Sequence, residues 1–222
     1  MEASLELRAA RHAALGDPVR LAIVDELAVS DRAPVELRRR LGIESNLLAH
    51  HLDVLDDVGL ISRSRSSGDG RRRYVHLLRD VFDAVGSRPR VRARRALFVC
   101  TRNSARSQLA AALWRELAHA PAASAGTRPA DRINPGAISA ARRGGFELDT
   151  TGPRALSSVK RLPGLVITVC DQAYEELDDP EGWLHWSVPD PVAVGTKAAF
   201  DATVAELRER ITDVVAGVGA KA

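Results

Sequence analysis

Apolar positions fall at helical spacing through the first part of the chain and gather into short continuous runs further on. Leu5 to Leu15 reads as a short helix. Gly16-Asp17-Pro18 then resets the chain, with Asp17 as N-cap and Pro18 in the first position of a second helix. In that helix Leu21, Ile23, Val24 and Leu27 make the apolar stripe. A third, short helix is predicted from Ala33 to Leu41, ended by Gly42. Ser45 to Val58 follows, with Leu48, Leu52 and Leu55 on one face and Asn46, Ala49 and His50 on others, so the order is helix, tight turn, helix. Gly59-Leu60-Ile61 closes this helix. Arg63 to Leu78 then predicts two strands around Ser67-Gly68-Asp69-Gly70, a turn-rich tip flanked by arginines, which makes a wing.

The pattern changes after residue 95. Ala96 to Cys100 is a buried-strand run that leads through a polar loop into an amphipathic helix, Gln108 to Leu117. Residues 124–129, Ser-Ala-Gly-Thr-Arg-Pro, read as strand and turn, 135–143 as an Ala-rich helix, Leu165 to Cys170 as a strand, and Lys197 to Val215 as a final helix. Alternating strands and helices imply an α/β fold with a parallel sheet, and such sheets bind ligands at the carboxyl ends of their strands.

Length and composition constrain this picture. A chain of 222 residues exceeds one typical domain, and 45% apolar with 27% charged residues excludes a disordered or fibrous protein. The expected organisation is a domain over 1–85, an Arg-rich linker over 86–95 and a second domain over 96–222. No run reaches the roughly 20 apolar residues of a membrane span, and the first residues lack a secretory signal, so a cytoplasmic protein without membrane contact is expected. The net charge of +3 is unevenly placed, because residues 61–95 hold 11 arginines against three aspartates. Such a stretch suits a polyanion, and Ser87 to Arg95 reads equally as linker or as DNA arm. Two cysteines, Cys100 and Cys170, are too few for a disulfide scaffold or a thiolate zinc site. His50 and His51 point about 100° apart on one helix, so they do not form a metal site with His76. No metal site is expected.

The segments ALGDPVRLAIVDEL, LRRRLGI and AHHLDVLDDVGLI closely resemble the ArsR/SmtB family of winged helix-turn-helix regulators, over roughly residues 5–85. That resemblance implies double-stranded DNA as partner, with the Ser45 to Val58 helix in the major groove. Ser45, Asn46, Leu47 and His50 would then face the bases, while Arg63, Arg65, Arg71, Arg72 and Arg73 of the wing hold phosphates or the minor groove. It also implies a homodimer formed through the terminal helices of this domain, Leu5 to Leu15 and Asp80 to Val85. The first 99 residues contain no cysteine, which excludes a thiol-based metal sensor in this half.

Cys100 stands at a strand end facing a helix N-terminus, where main-chain N–H groups and the helix dipole stabilise an anion. The loop Thr101, Arg102, Asn103, Ser104, Ala105, Arg106 and Ser107 can therefore cradle a tetrahedral oxyanion. Arg106 can grip two of its oxygens with a planar fork, and Ser107 can donate to the sulfur. Asp190, held between Pro189 and Pro191, is a candidate general acid. CTRNSARSQLAAALW, SAGTRP, ITVCDQA and LHWSVPDP together resemble the arsenate reductases built on the low-molecular-weight protein tyrosine phosphatase fold, over roughly residues 95–217. Gln108 and the absence of an aromatic pair after Asp190 favour the reductase branch.

By that resemblance Cys100 attacks arsenate, Arg106 and the loop stabilise it, and Asp190 helps expel water. Cys170 either resolves the Cys100 adduct as a disulfide or is a buried strand cysteine. Leu177 replaces the further cysteine of three-cysteine reductases, so the reductant is an external thiol, either thioredoxin or a small thiol, and no tightly bound cofactor is implied. The expected protein is thus a fusion of a winged-helix regulator with an arsenate reductase. The alternatives are a regulator whose second domain only senses an oxyanion or thiol redox state, and a low-molecular-weight tyrosine phosphatase.

Overall fold

A computed structural model describes residues 4–82, 95–149, 151–178 and 180–215. Its contacts divide the chain into two compact units, Met1–Ser66 with Gly70–Pro89, and Ser67–Asp69 with Arg90–Ala222. The first unit runs through α1 (Leu5–Leu15), α2 (Pro18–Val29), α3 (Pro34–Leu41), α4 (Ser45–Asp57), β1 (Ile61–Arg65), β2 (Arg73–Leu77) and the one-turn α5 (Arg79–Phe82). Local chemistry sets the helix ends. The Asp17 carboxylate accepts from the N–H groups of Val19 and Arg20 at 2.9 and 3.0 Å, satisfying two donors that α2 cannot pair internally. Ala33 has no acceptor to cap α3, so Glu36 turns back to accept from the Ala33 N–H at 2.7 Å. Gly42 ends α3 at φ 65°, a left-handed conformation that a residue with a Cβ adopts at a cost.

These helices bury one face each. Ile23, Val24 and Leu27 of α2 meet Leu48, Leu52 and Leu55 of α4, with Leu60, Val75 and Leu77 from the hairpin completing the core. Leu21 departs from the expected stripe and is 43% exposed. The hairpin β1–β2 is antiparallel, from Ile61 opposite Leu77 to Arg65 opposite Arg73. Arg32 adds a short antiparallel bridge to Val75 on the free edge of β2. The Arg-rich stretch expected as linker or DNA arm lies, but for Arg95, outside the described residues, as do 83–85 of the expected second dimer helix.

The second unit begins with β3 (Ala96–Cys100), α6 (Arg106–Leu117), β4 (Ala122–Gly126) and α7 (Pro135–Arg143). A short helical turn (Leu156–Ser158), β5 (Val166–Thr168), α8 (Asp171–Glu176), β6 (Leu184–His185), α9 (Pro191–Val194) and α10 (Lys197–Val215) follow. All sheet pairings are parallel and the order is β4-β3-β5-β6. The chain leaves β3 for a neighbour on one side and later adds β5 on the other. Winding therefore reverses at β3, and the crevice this creates opens at its carboxyl end, where Cys100 stands. All five residues of β3 are buried, as a strand covered on both faces requires. Phe98 packs edge-on to Trp114 of α6, with ring centroids 5.7 Å apart, and lies 5.9 Å from the Trp186 ring.

Two expectations for this half are corrected. The helix after the loop starts at Arg106 rather than Gln108, so Arg106 and Ser107 belong to its first turn. The predicted strand through Cys170 ends at Thr168, and Cys170 is instead the N-cap of α8. Among the described residues no helix is long and apolar enough to cross a membrane.

Candidate active site

The loop from Cys100 to Arg106 is held from outside by its own carbonyl groups. The oxygens of Cys100, Thr101, Arg102 and Ser104 accept from the N–H groups of Thr127, Arg128, Ala130 and Asn134 at 2.8 to 3.2 Å. With those carbonyls tied to residues 127–134 the loop is braced from outside, and the first-turn amides of α6 have no intrahelical carbonyl to pair with. Ala105 at the cap of α6 makes no side-chain cap bond to those donors. Asn103 takes φ 49°, a left-handed conformation that Asn tolerates, and its N–H donates to the Cys100 Sγ at 3.1 Å. Its amide group donates to the Ser107 Oγ at 2.8 Å and accepts from the Arg154 N–H at 2.8 Å. The Ser107 Oγ lies 3.0 Å from the Cys100 Sγ, and Gln108 donates to the Asn103 carbonyl at 3.1 Å. Cys100, Asn103, Ser107 and Gln108 thus form one buried network around the sulfur.

Arg106 is buried but for 8% of its surface. It donates to the Val188 carbonyl at 3.0 Å and to the Asp190 carboxylate at 2.9 Å. Asp190 is the N-cap of α9, accepting from the Val192 N–H at 3.0 Å. Cap and ion pair together fix the carboxylate beside the guanidinium. A cavity of about 310 Å³ opens above the loop, lined by Cys100, Ser104, Ala105, Arg106 and Asp190, with Arg102, Arg132, Ile133, Pro135 and Val192 among the surrounding side chains. Among the described residues no aromatic ring lines it.

Cys170 is 1% exposed, and both cysteines are free. Its sulfur accepts from the N–H groups of Thr101 and Ala173 at 3.3 and 3.4 Å, tying the start of the loop to α8. Burial, and then the neighbouring Cys100, push its thiol above the ordinary range. Beside it, Asp171 contacts His185 at 3.3 Å, and His185 bonds the Thr168 hydroxyl at 2.9 Å and stacks on Tyr174. Burial opposes ionisation of Asp171, yet hydrogen bonds from His185 and Ser187 outweigh it and hold the carboxyl at about 2. This network anchors the root of the segment that carries Val188 and Asp190.

In the first unit the residues expected to face DNA are spread over α4 and the hairpin. Ser45, Asn46, Leu47 and His50 are exposed on α4, whereas His51 is buried near Asp17. Arg63 is not free to reach outward, because Asp53 and Asp56 of α4 hold it at 2.6 and 3.2 Å. Arg65, Arg71 and Arg73 are exposed and Arg72 is half-buried. His76 bonds Ser64 at 2.7 Å and approaches Asp31 at 3.2 Å.

Several participants carry no sequence signal. A Cβ on Gly126 would stand 2.7 Å from the Thr101 carbonyl, so the bare backbone is what lets β4 approach the loop. Val188 acts through its carbonyl and Arg132 arrives from another segment.

A model of the low molecular weight phosphotyrosine protein phosphatase family matches residues 95–222. No curated protein matches the chain. Among solved structures, the arsenate reductase from Archaeoglobus fulgidus is 28% identical, over 55% of this chain and 98% of that one, with a TM-score of 0.47. The low molecular weight protein tyrosine phosphatase from T. tengcongensis is 19% identical over 56% and 99%, and the tyrosine phosphatase AmsI of Erwinia amylovora 18% over 57% and 93%, both with a TM-score of 0.50. The latter two share the fold of the second unit.

Proposed function

The chain belongs to the low molecular weight phosphotyrosine protein phosphatase family, and from that premise we propose that it is a thiol-dependent arsenate reductase joined to a winged-helix DNA-binding domain. The Cys100 sulfur attacks arsenic, the amides of the Cys100 to Ser107 loop and the Arg106 fork hold the oxygens, and Asp190 gives its proton to the departing water. The Arg106–Asp190 pair then has a clear part. An incoming anion draws the guanidinium toward itself, and the Asp190 carboxylate so released takes up a proton from solvent, which it then gives to the leaving oxygen. The product of this half is a Cys100 thiol–arsenate. Cys170 is buried and its sulfur already accepts two N–H groups, which supports a bracing role and leaves reduction to an external thiol.

One observation favours arsenate over an aryl phosphate: the cavity is lined by aliphatic, polar and arginine side chains, and among the described residues it has no aromatic ring to stack on an aromatic leaving group. Family membership supports phosphomonoester hydrolysis as the second reading, because the same loop and acid perform it. The test is arsenite release by the full chain from arsenate with a small thiol or a thioredoxin system. Arsenite formation that Cys100→Ser abolishes supports the reductase. Fast aryl phosphate turnover without arsenite selects the phosphatase.

For the first unit the reading is an ArsR-like winged helix-turn-helix that binds double-stranded DNA as a homodimer. The exposed polar face of α4 beside the Arg-bearing hairpin supports it. Arg63 fixes the hairpin to α4 in this reading, and Arg65 and Arg73 reach phosphate. Fluorescence anisotropy with the duplex upstream of the coding region should show binding that weakens steeply with salt. No binding even at low salt would contradict it.

A further inference from the structure

Three arginines line the Cys100 cavity, Arg102, Arg106 and Arg132. Arg106 is already held by Val188 and Asp190. Arg102 and Arg132 differ. Both line the cavity, both are exposed, and among the described residues neither guanidinium has a hydrogen-bond or ion-pair partner. They come from different segments, one from the loop and one from the stretch before α7. Among the described residues the one acid lining the cavity, Asp190, is committed to Arg106. An oxyanion in the cradle engages the loop amides and Arg106, and leaves the outer positive charge unanswered. A cavity of about 310 Å³ also holds more than a four-oxygen anion.

We propose that Arg102 and Arg132 form a second anion subsite at the cavity mouth, which takes the carboxylate of the small thiol that attacks the Cys100 adduct. This rests on the reductase reading and names its second reactant. Cys100 is 3% exposed, so the cavity is the approach to its sulfur, and a planar guanidinium matches a carboxylate in shape and charge. With its carboxylate seated at the mouth, the thiolate attacks the Cys100 Sγ. A sulfur–sulfur bond forms, the sulfur–arsenic bond breaks, and its electron pair stays on arsenic, which leaves as arsenite. Arsenic is reduced from the +5 to the +3 state, and the two sulfurs are oxidised to a mixed disulfide. A second molecule of the thiol then attacks the small-thiol sulfur of that disulfide, releasing the small disulfide and the Cys100 thiolate.

Two measurements on the full chain test this. The first is binding of phosphonopropionate against propylphosphonate, which needs no redox step. The carboxylate should improve affinity on the order of tenfold at low salt. That ratio should fall to near one in the Arg102→Ala/Arg132→Ala double variant and reverse in Arg132→Glu. The second is the KM for mercaptopropionate, mercaptoethanol and cysteamine in arsenite release, compared at equal thiolate concentration. Mercaptopropionate should have the lowest value in the wild type, and cysteamine in Arg132→Glu. Equal affinity for the two phosphonates overturns the subsite. A phosphonate preference with equal thiol KM values, or arsenite release by thioredoxin alone, overturns its assignment to a small acidic thiol. Absence of arsenite with every reductant removes the reductase reading, and the phosphonate ratio then decides the subsite by itself.

Discussion

Gly126 shows how little room the loop has. Its missing side chain lets the Thr101 carbonyl and the Asn103 backbone approach to within about a van der Waals contact of β4, and a Cβ there would meet backbone that cannot rotate away. Gly126→Ala should therefore displace the loop and lower kcat for either arsenate or an aryl phosphate by about tenfold or more. The two cysteines make a second contrast at this scale. Cys100 opens on the cavity, whereas Cys170 is buried with its thiol pushed up by that burial and by Cys100. Native protein near neutral pH should take up iodoacetamide at Cys100 alone, and Cys100→Ser should remain unlabelled until it is unfolded. Mass spectrometry of the labelled peptides checks both.

Elements whose ends are written in local chemistry were legible before the structure. Asp17-Pro18 starts α2, Gly42 ends α3, and Pro135 and Lys197 open α7 and α10 at the expected places. The cap at Asp17 serves two N–H groups, so Asp17→Ala should lower the unfolding midpoint in urea with an unchanged slope. Elements defined by tertiary contact were not legible. β6 is two residues long, Leu184–His185, and exists because β5 offers it an edge. The predicted strand runs on to Cys170 because an apolar run cannot show that a sulfur caps the next helix. The Cys100 loop could be read because its chemistry is sequential. The outer brace by Thr127, Arg128, Ala130 and Asn134 could not, since those contacts join segments that only the fold brings together.

At the scale of the whole chain, two units with separate cores carry two different kinds of surface. The second offers a parallel sheet whose winding reverses at β3, and the site follows from that reversal: the strand end supplies Cys100, the next helix supplies Arg106, and a segment 84 residues past Arg106 supplies Asp190. Everything proposed for this unit requires the Cys100 sulfur to form a covalent bond to the central atom of a tetrahedral oxyanion. The most direct measurement is acid quenching during turnover of an aryl phosphate, followed by mass analysis of the peptide containing residue 100. The account predicts a phosphoryl group on Cys100 and no adduct in Cys100→Ser. Turnover that persists in Cys100→Ser, or an adduct on any other residue, would contradict it.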